Sequence, residues 1–264
     1  MDDQGKTKKP PNWQQDHINK LAKNAMTTAR SHLNPDSSAR LNEATDWLEA
    51  YSLKPDFDTN YALRTLISRG IAEDIIVDYC IPRAACSHGD RWVSDTLSFS
   101  EVSIGTVHLQ MLLKTITNNR KVDVRNELGK CLLITALEDE QHTLGALVLG
   151  DQMRRRGYSL KILINSSLNE VSRHLSNNSY DALLFSAGSE RIAQLSAQCV
   201  NKIRHIQKNS PKMFLGGSIL AFGVSESVAS EFNLVTNNLD LVIDEIENNV
   251  IRVSSRVALE RYNS

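Results

Sequence analysis

The run Cys131-Leu-Leu-Ile-Thr-Ala136, followed after a short polar break by Glu140-Gln-His142-Thr-Leu-Gly145, decides the fold. The first part is almost continuously apolar, as a strand buried on both faces must be. The second opens a helical pattern that runs to Arg156 and stops at Gly157. A strand that hands over to a helix in this way is the first half of a βαβ unit. The handover also carries chemistry, because Glu140 stands two residues before His142 and Gly145 three after it. Neutral imidazole is a good transition-metal ligand. A carboxylate that accepts the other ring N–H fixes the tautomer and raises ligand basicity. Glycine lets a bulky planar ligand approach the backbone. Alone, a histidine at a loop–helix junction reads as a surface residue, so the surrounding pattern has to decide.

Working outward, short apolar runs alternate with helical patterns through the rest of the chain. Strands are expected at 131–136, 159–164, 181–186, 212–215 and 233–236, and helices at 143–156, 167–177, 188–207, 219–231 and 239–258. Such alternation predicts an α/β domain over residues 127–264 with a parallel, Rossmann-like sheet of five strands. Crossover handedness and short βα loops favour the flavodoxin-like order 2-1-3-4-5. Ligands in these sheets bind beyond the carboxyl ends of the strands, where His142 falls. Ser186 after Leu183-Leu-Phe185, Gly216-Gly217 after Met213-Phe-Leu215, and Thr236 after Asn233-Leu-Val235 are expected at the same edge. Together they would line a slot able to take a long polar ligand tail. Taken singly, the glycine pair reads as a turn, and Ser186 and Thr236 as strand-end caps.

Upstream the rhythm is helical. Residues 1–13 are polar and Pro-containing and are expected to be disordered. From 14 to 120 the pattern predicts a helical bundle, beginning with Ile18, Leu21, Ala22, Ala25 and Ala29 at helical spacing. A second helix is expected to be capped by Asp36 or Ser37, and a third by Asp58 with Gly70 as its stop. A fourth is expected over 72–79, closed by Pro82, and a fifth from Ser98 to about Ile116. The polar stretch 117–123 reads as a linker. The fold class is therefore an α/β domain preceded by an N-terminal helical bundle.

Composition narrows the function. The formal net charge of −1 on 264 residues argues against direct nucleic-acid binding, and no helix-turn-helix pattern is visible. No apolar run approaches the ~20 residues of a membrane span, and the first residues carry no hydrophobic signal region. Cys80, Cys86, Cys131 and Cys199 have neither zinc spacing nor a disulfide framework, which points to reduced thiols and a cytoplasmic protein. Arg154-Arg155-Arg156 reads as a basic final helix turn opposing the dipole. No catalytic constellation is apparent, and a non-enzymatic role is expected.

The ordered set carboxylate-x-His-x-x-Gly, then Ser, then Gly-Gly resembles the fingerprint of cobalamin-binding domains of the methionine-synthase type. That resemblance implies that His142 is the lower axial ligand of cobalt and Glu140 its orienting partner. It also implies that Gly145, Ser186, Gly216, Gly217 and Thr236 line the pocket for the displaced nucleotide tail. In the helical half, Ile81-Pro-Arg-Ala-Ala-Cys-Ser-His-Gly89-Asp-Arg-Trp92 and Leu97-Ser-Phe-Ser-Glu-Val-Ser-Ile-Gly105 resemble the four-helix cap of cobalamin proteins, with Trp92 over the cofactor. With Gln141-His-Thr-Leu-Gly-Ala146 and Asp151-Gln-Met-Arg-Arg155, these runs are similar to the PpaA/AerR group of photosynthesis-gene antirepressors. The chain departs from the pattern in three places. Glu140 replaces the usual Asp, and Ser186-Ala-Gly188 replaces Ser-x-Leu. Glu101-Val102-Ser103 lacks the histidine that light-sensing relatives carry after the cap tryptophan, which leaves His17, His32, His88 and His108 as candidates for an upper ligand.

The resemblance implies a cobalamin-binding transcriptional regulator, loaded with hydroxo-, methyl- or adenosylcobalamin, acting through a DNA-binding repressor partner. Light, corrinoid supply or redox state would be the signal. Two alternatives share the fold: a corrinoid methyl-carrier subunit of a methyltransferase system, and a haem-binding sensor with iron on His142.

Overall fold

The computed structural model describes residues 35–120, 128–207 and 209–247. The chain divides into two compact units, Met1–Val122 and Asp123–Ser264. The helix expected around Ile18–Ala29, together with His17 and His32, lies outside the described residues, as does the expected helix beyond Glu247.

The first unit is helical. Helix α1 (Pro35–Ser52) buries Leu41, Ala44 and Leu48. It already includes Asp36 and Ser37, the expected caps. Helix α2 (Thr59–Ser68) starts where Asp58 Oδ1 accepts the Tyr61 N–H at 2.5 Å. It ends at Gly70, with φ +79° and the Ile71 N–H returning to Leu66 O at 3.1 Å.

The next helix corrects the expectation that Pro82 closes it. Helix α3 (Glu73–Ile75) continues through a π-helical turn (Ile76–Cys80) directly into α4 (Ile81–Val93). Proline has no N–H to give and crowds the carbonyl four residues back. The turn ahead of it widens, so the Ile81 N–H donates to Ile76 O, five residues back, and the chain passes Pro82 without breaking. Helix α5 (Phe99–Asn119) opens on a capping box: Glu101 Oε2 accepts from Ser98 N and Ser98 Oγ, both at 2.7 Å, and Ser98 Oγ accepts from Glu101 N.

The second unit is a five-stranded parallel sheet in the order β2-β1-β3-β4-β5, as expected. The strands are β1 (Cys131–Leu137), β2 (Ser159–Ser166), β3 (Ala182–Ser186), β4 (Lys212–Gly216) and β5 (Leu234–Val235). Helices α6 (Leu144–Arg155), α7 (Leu168–Asn177), α8 (Glu190–Ile206), α9 (Glu226–Ala229) and α10 (Leu239–Glu247) connect or follow them. Leu133, Leu183 and Met213 point to one core with Val171, Leu175, Val200 and Ile203. Leu132, Ile134, Leu184 and Phe214 point to the other with Ala146, Met153, Val242 and Ile246. Residues alternate between the two faces, and both are apolar because helices cover both.

One expected helix is absent. In place of 219–231 the chain makes a 3₁₀ turn (Ser218–Ala221), a bend at Gly223 with φ +86°, and the short α9. A left-handed glycine inside the pattern ends the helix before it can propagate. Among the described residues no helix is long and apolar enough to cross a membrane.

Candidate functional site

Strand order places β1 beside β3, and their crossovers leave in opposite directions. The crevice at this switch point is where open α/β sheets accept ligands. Glu140 and His142 come from the β1–α6 loop on one side of it, and Ser186, Ala187 and Gly188 from the β3–α8 loop on the other.

Glu140 is the buried anchor, with its side chain 2% exposed. Its Oε1 accepts the His142 backbone N–H at 2.6 Å and meets His142 Nδ1 at 2.9 Å. Its Oε2 accepts the Gly188 N–H at 2.5 Å across the crevice. Burial on its own would raise this carboxyl's pKa. The hydrogen bonds from the His142 ring, the His142 N–H and the Gly188 N–H outweigh burial and hold it below the usual range. Because an ionised carboxylate only accepts, Nδ1 carries the proton, and the neutral ring keeps its lone pair on Nε2. The His142 side chain is 67% exposed, so that lone pair is offered to solvent from a ring whose tautomer is set from behind.

His142 is a single donor. Among the described residues no cluster of three or more His, Cys, Asp and Glu could hold a metal ion. A metal at Nε2 would therefore have to bring its other ligands with it, as iron or cobalt inside a tetrapyrrole does. Gly145 fits such a ligand. A Cβ there would meet nothing within 4 Å, so the chain's own packing gives no reason for glycine at this place in α6, where it costs about 1 kcal/mol relative to alanine.

The remaining expected residues also sit along the carboxyl edge. Ser186 pairs in register with Gly216, is buried, and makes no hydrogen bond through its hydroxyl to another described residue. Gly216 and Gly217 have reasons of their own to be glycine. A Cβ on Gly216 would come within 3.0 Å of Thr236 O and Asn237 Oδ1. One on Gly217, where φ is +111°, would overlap Ala187 O and lie 2.7 Å from Ala187 N. Thr236 Oγ1 accepts the Asn238 N–H at 2.9 Å, a local turn. Asn237 carries no sequence signal of a role, yet its side chain receives the Gly217 N–H at 2.7 Å and donates to Gly217 O at 3.0 Å. Gly188 is the other residue that sequence reasoning misses. Its only signal in the sequence is a glycine two residues after Ser186 at the start of a helical pattern.

Trp92 lies in the first unit, on α4, half-buried and edge-on to Phe99 with ring centroids 6.3 Å apart. The two described candidates for an upper ligand are tied to the C-terminal end of α1. His88 is fully buried, with Nε2 3.1 Å from Glu49 O and 3.3 Å from Ser52 Oγ. His108 Nδ1 lies 2.7 Å from Ser52 O, and its ring stacks on Phe57 at 4.6 Å. Both satisfy carbonyls that the end of a helix leaves without partners. Glu101 serves the capping box. Of the arginine run, Arg155 Nε pairs with the buried Asp151 at 2.9 Å, one turn back.

No family model matches the chain. The structure is similar to that of the monomethylamine corrinoid protein of Methanosarcina barkeri, with a TM-score of 0.58 and 13% identity, covering 77% of this chain and 97% of that one. That likeness shows the fold. A cobalamin-binding protein from Desulfitobacterium hafniense DCB-2 aligns over 78% of this chain and 95% of its own at 12% identity, with a TM-score of only 0.39. In sequence, the chain is 34% identical over 176 residues to an uncharacterised 20.5 kDa protein in the bchF-crtJ intergenic region of Rhodobacter capsulatus. The match takes in 66% of this chain and 90% of that protein. At that identity and coverage, the chain belongs to the family of the Rhodobacter capsulatus bchF-crtJ intergenic protein.

Proposed function

We propose that this protein binds a corrinoid through His142 and uses the bound state to regulate photosynthesis genes through a DNA-binding repressor. The observation that carries the reading is the Glu140–His142 pair at the switch point. It presents one oriented Nε2 lone pair, with a bare glycine one turn away, on a fold shared with a corrinoid protein. A bound corrinoid would supply a cobalt centre whose upper ligand responds to light or redox state. The chain's own part is to bind and orient. Glu140 holds the ring tautomer, and Gly145 leaves the backbone open. The Ser186 hydroxyl is available to a polar tail, and Gly216, Gly217 and Thr236 shape the loops beside it. The proposed switch is a change in the cobalt's upper ligand that alters the protein's affinity for its partner. The relative's place in the bchF-crtJ intergenic region fits a role among photosynthesis genes. The near-neutral charge fits action on a protein partner rather than on DNA.

The test is an absorbance spectrum after incubation with hydroxocobalamin or adenosylcobalamin and desalting, with His142→Ala alongside. Retained bands of imidazole-ligated corrinoid, lost in the variant, are expected. Absence of any retained corrinoid in the wild type would refute the reading, and uptake of haem instead would redirect it to iron. Equal affinity of illuminated and dark holoprotein for the repressor would remove the regulatory half. Transfer of a labelled methyl group from methylcobalamin-loaded protein to an acceptor would favour the methyl-carrier role.

A further inference from the structure

Gly188 touches both members of the Glu140–His142 pair. Its N–H donates to Glu140 Oε2 at 2.5 Å. A Cβ at this position would overlap His142 Nδ1 and lie 2.8 Å from Glu140 Oε1 and 2.9 Å from His142 Cγ. Its φ is outside the left-handed region, so the backbone does not demand glycine here. Space for the pair does.

The length of the glutamate explains why. Glu140 is one methylene longer than an aspartate in the same place, yet it must return one oxygen to a ring only two residues ahead. Folding the longer arm back carries the carboxylate against the β3–α8 loop, where its second oxygen needs a donor of its own. A side chain at 188 would occupy that volume and push the ring away, whereas a glycine admits the pair and supplies the N–H. Unpaired, a buried carboxylate oxygen would be strongly unfavourable.

We propose that Gly188 is a positioning residue matched to Glu140: the missing side chain and the backbone N–H together fix the carboxylate, and the carboxylate fixes the imidazole. The ring is oriented in the cofactor-free protein, so ligand binding does not have to order it. The geometry of the three residues is independent of any ligand, and its consequence for a metal-bearing ligand rests on the corrinoid reading above.

The experiment uses the full chain, ¹⁵N-labelled and without cofactor. In wild type, His142 should show the Nδ1-protonated tautomer, and the Gly188 amide should exchange slowly with solvent. Gly188→Ala should move the His142 ring nitrogens to the mixed-tautomer pattern of a free imidazole while His88 and His108 stay unchanged. Glu140→Asp should speed Gly188 amide exchange, because the shorter arm no longer reaches. In the Glu140→Asp background, adding Gly188→Ala should change His142 less than it does in wild type, the non-additivity expected of groups in contact. An unaltered His142 tautomer in Gly188→Ala, or strictly additive effects, would overturn the proposal. If Gly188→Ala does not fold, unchanged Gly188 exchange in Glu140→Asp overturns it equally. In a second arm, Gly188→Ala should weaken hydroxocobalamin retention by about tenfold or more, the scale seen when an orienting partner of a metal ligand is lost. Wild type that retains no hydroxocobalamin would defeat the corrinoid reading, while the tautomer and exchange measurements would still decide the role of Gly188.

Discussion

At the scale of single residues, two buried titratable groups carry most of the chemistry, and their environments act in opposite ways. Glu140 is ionised in the interior because two backbone N–H groups and an imidazole replace its water. Its folded pKa lies below the unfolded value of about 4.5. Its contribution to stability is therefore complete above that value and disappears as pH falls through the lower folded value. Urea titrations at pH 7 and pH 3 should show a loss that Glu140→Gln, already without the charge, shows less of. His88 is buried as the neutral ring, with Nδ1 lacking any partner among the described residues. Burial lowers its pKa from 6.5, although the Glu49 carbonyl pulls the other way. Below pH 6.5 the unfolded chain takes up a proton that the folded one refuses, so stability falls with pH until the folded value is passed. The measured slope between about pH 7.5 and 5.5 should flatten in His88→Gln, which can keep a donor to Glu49 O but cannot titrate.

At the scale of elements, the ends of helices are the most legible features. Asp58, Gly70 and Gly157 act as expected, and Ser98, expected as the first residue of its helix, caps it, because a cap is a contact between residues three to five apart and needs nothing from the rest of the fold. Ser98→Ala removes one such contact and should cost about 1 kcal/mol in urea unfolding. Pro82 departs from expectation because a helix stop can be overridden by packing. A proline usually ends a helix, but here a π turn absorbs it, and that outcome depends on the turn and α4 both burying apolar residues: Ile76, Val77 and Cys80 in the turn, Ile81 and Ala84 in α4. Gly150 is another feature invisible in one dimension. A Cβ there would overlap Ile162 Cδ1 on β2, the movable tip of a half-buried side chain. Gly150→Ala should change stability by no more than about 1 kcal/mol, because the better helix propensity of alanine offsets the turning aside of that tip, with a thermal melt as the readout.

At the scale of the whole molecule, the sheet gathers four loops along one edge, and the candidate site belongs to that assembly rather than to any of its motifs. The proposed regulator would work only if loaded and unloaded protein differ in affinity for a partner. Removing the ligand contact with His142→Ala should therefore abolish any light-dependent difference in repressor binding, measured by pull-down or titration, as well as the corrinoid spectrum. The amino-acid sequence by itself determined the two-part organisation, the parallel sheet, its strand order and the edge on which His142, Ser186, Gly216 and Thr236 fall. These follow from local periodicity and from the handedness of crossovers, which hold wherever such a pattern occurs. Only the tertiary structure decided that Gly188 supports Glu140, 48 residues away, and that Asn237 closes over Gly217, 20 residues away. Neither pairing leaves a periodic trace, because each is set by which loops abut across the sheet edge and by a clearance of a few tenths of an ångström between atoms that the chain order keeps apart.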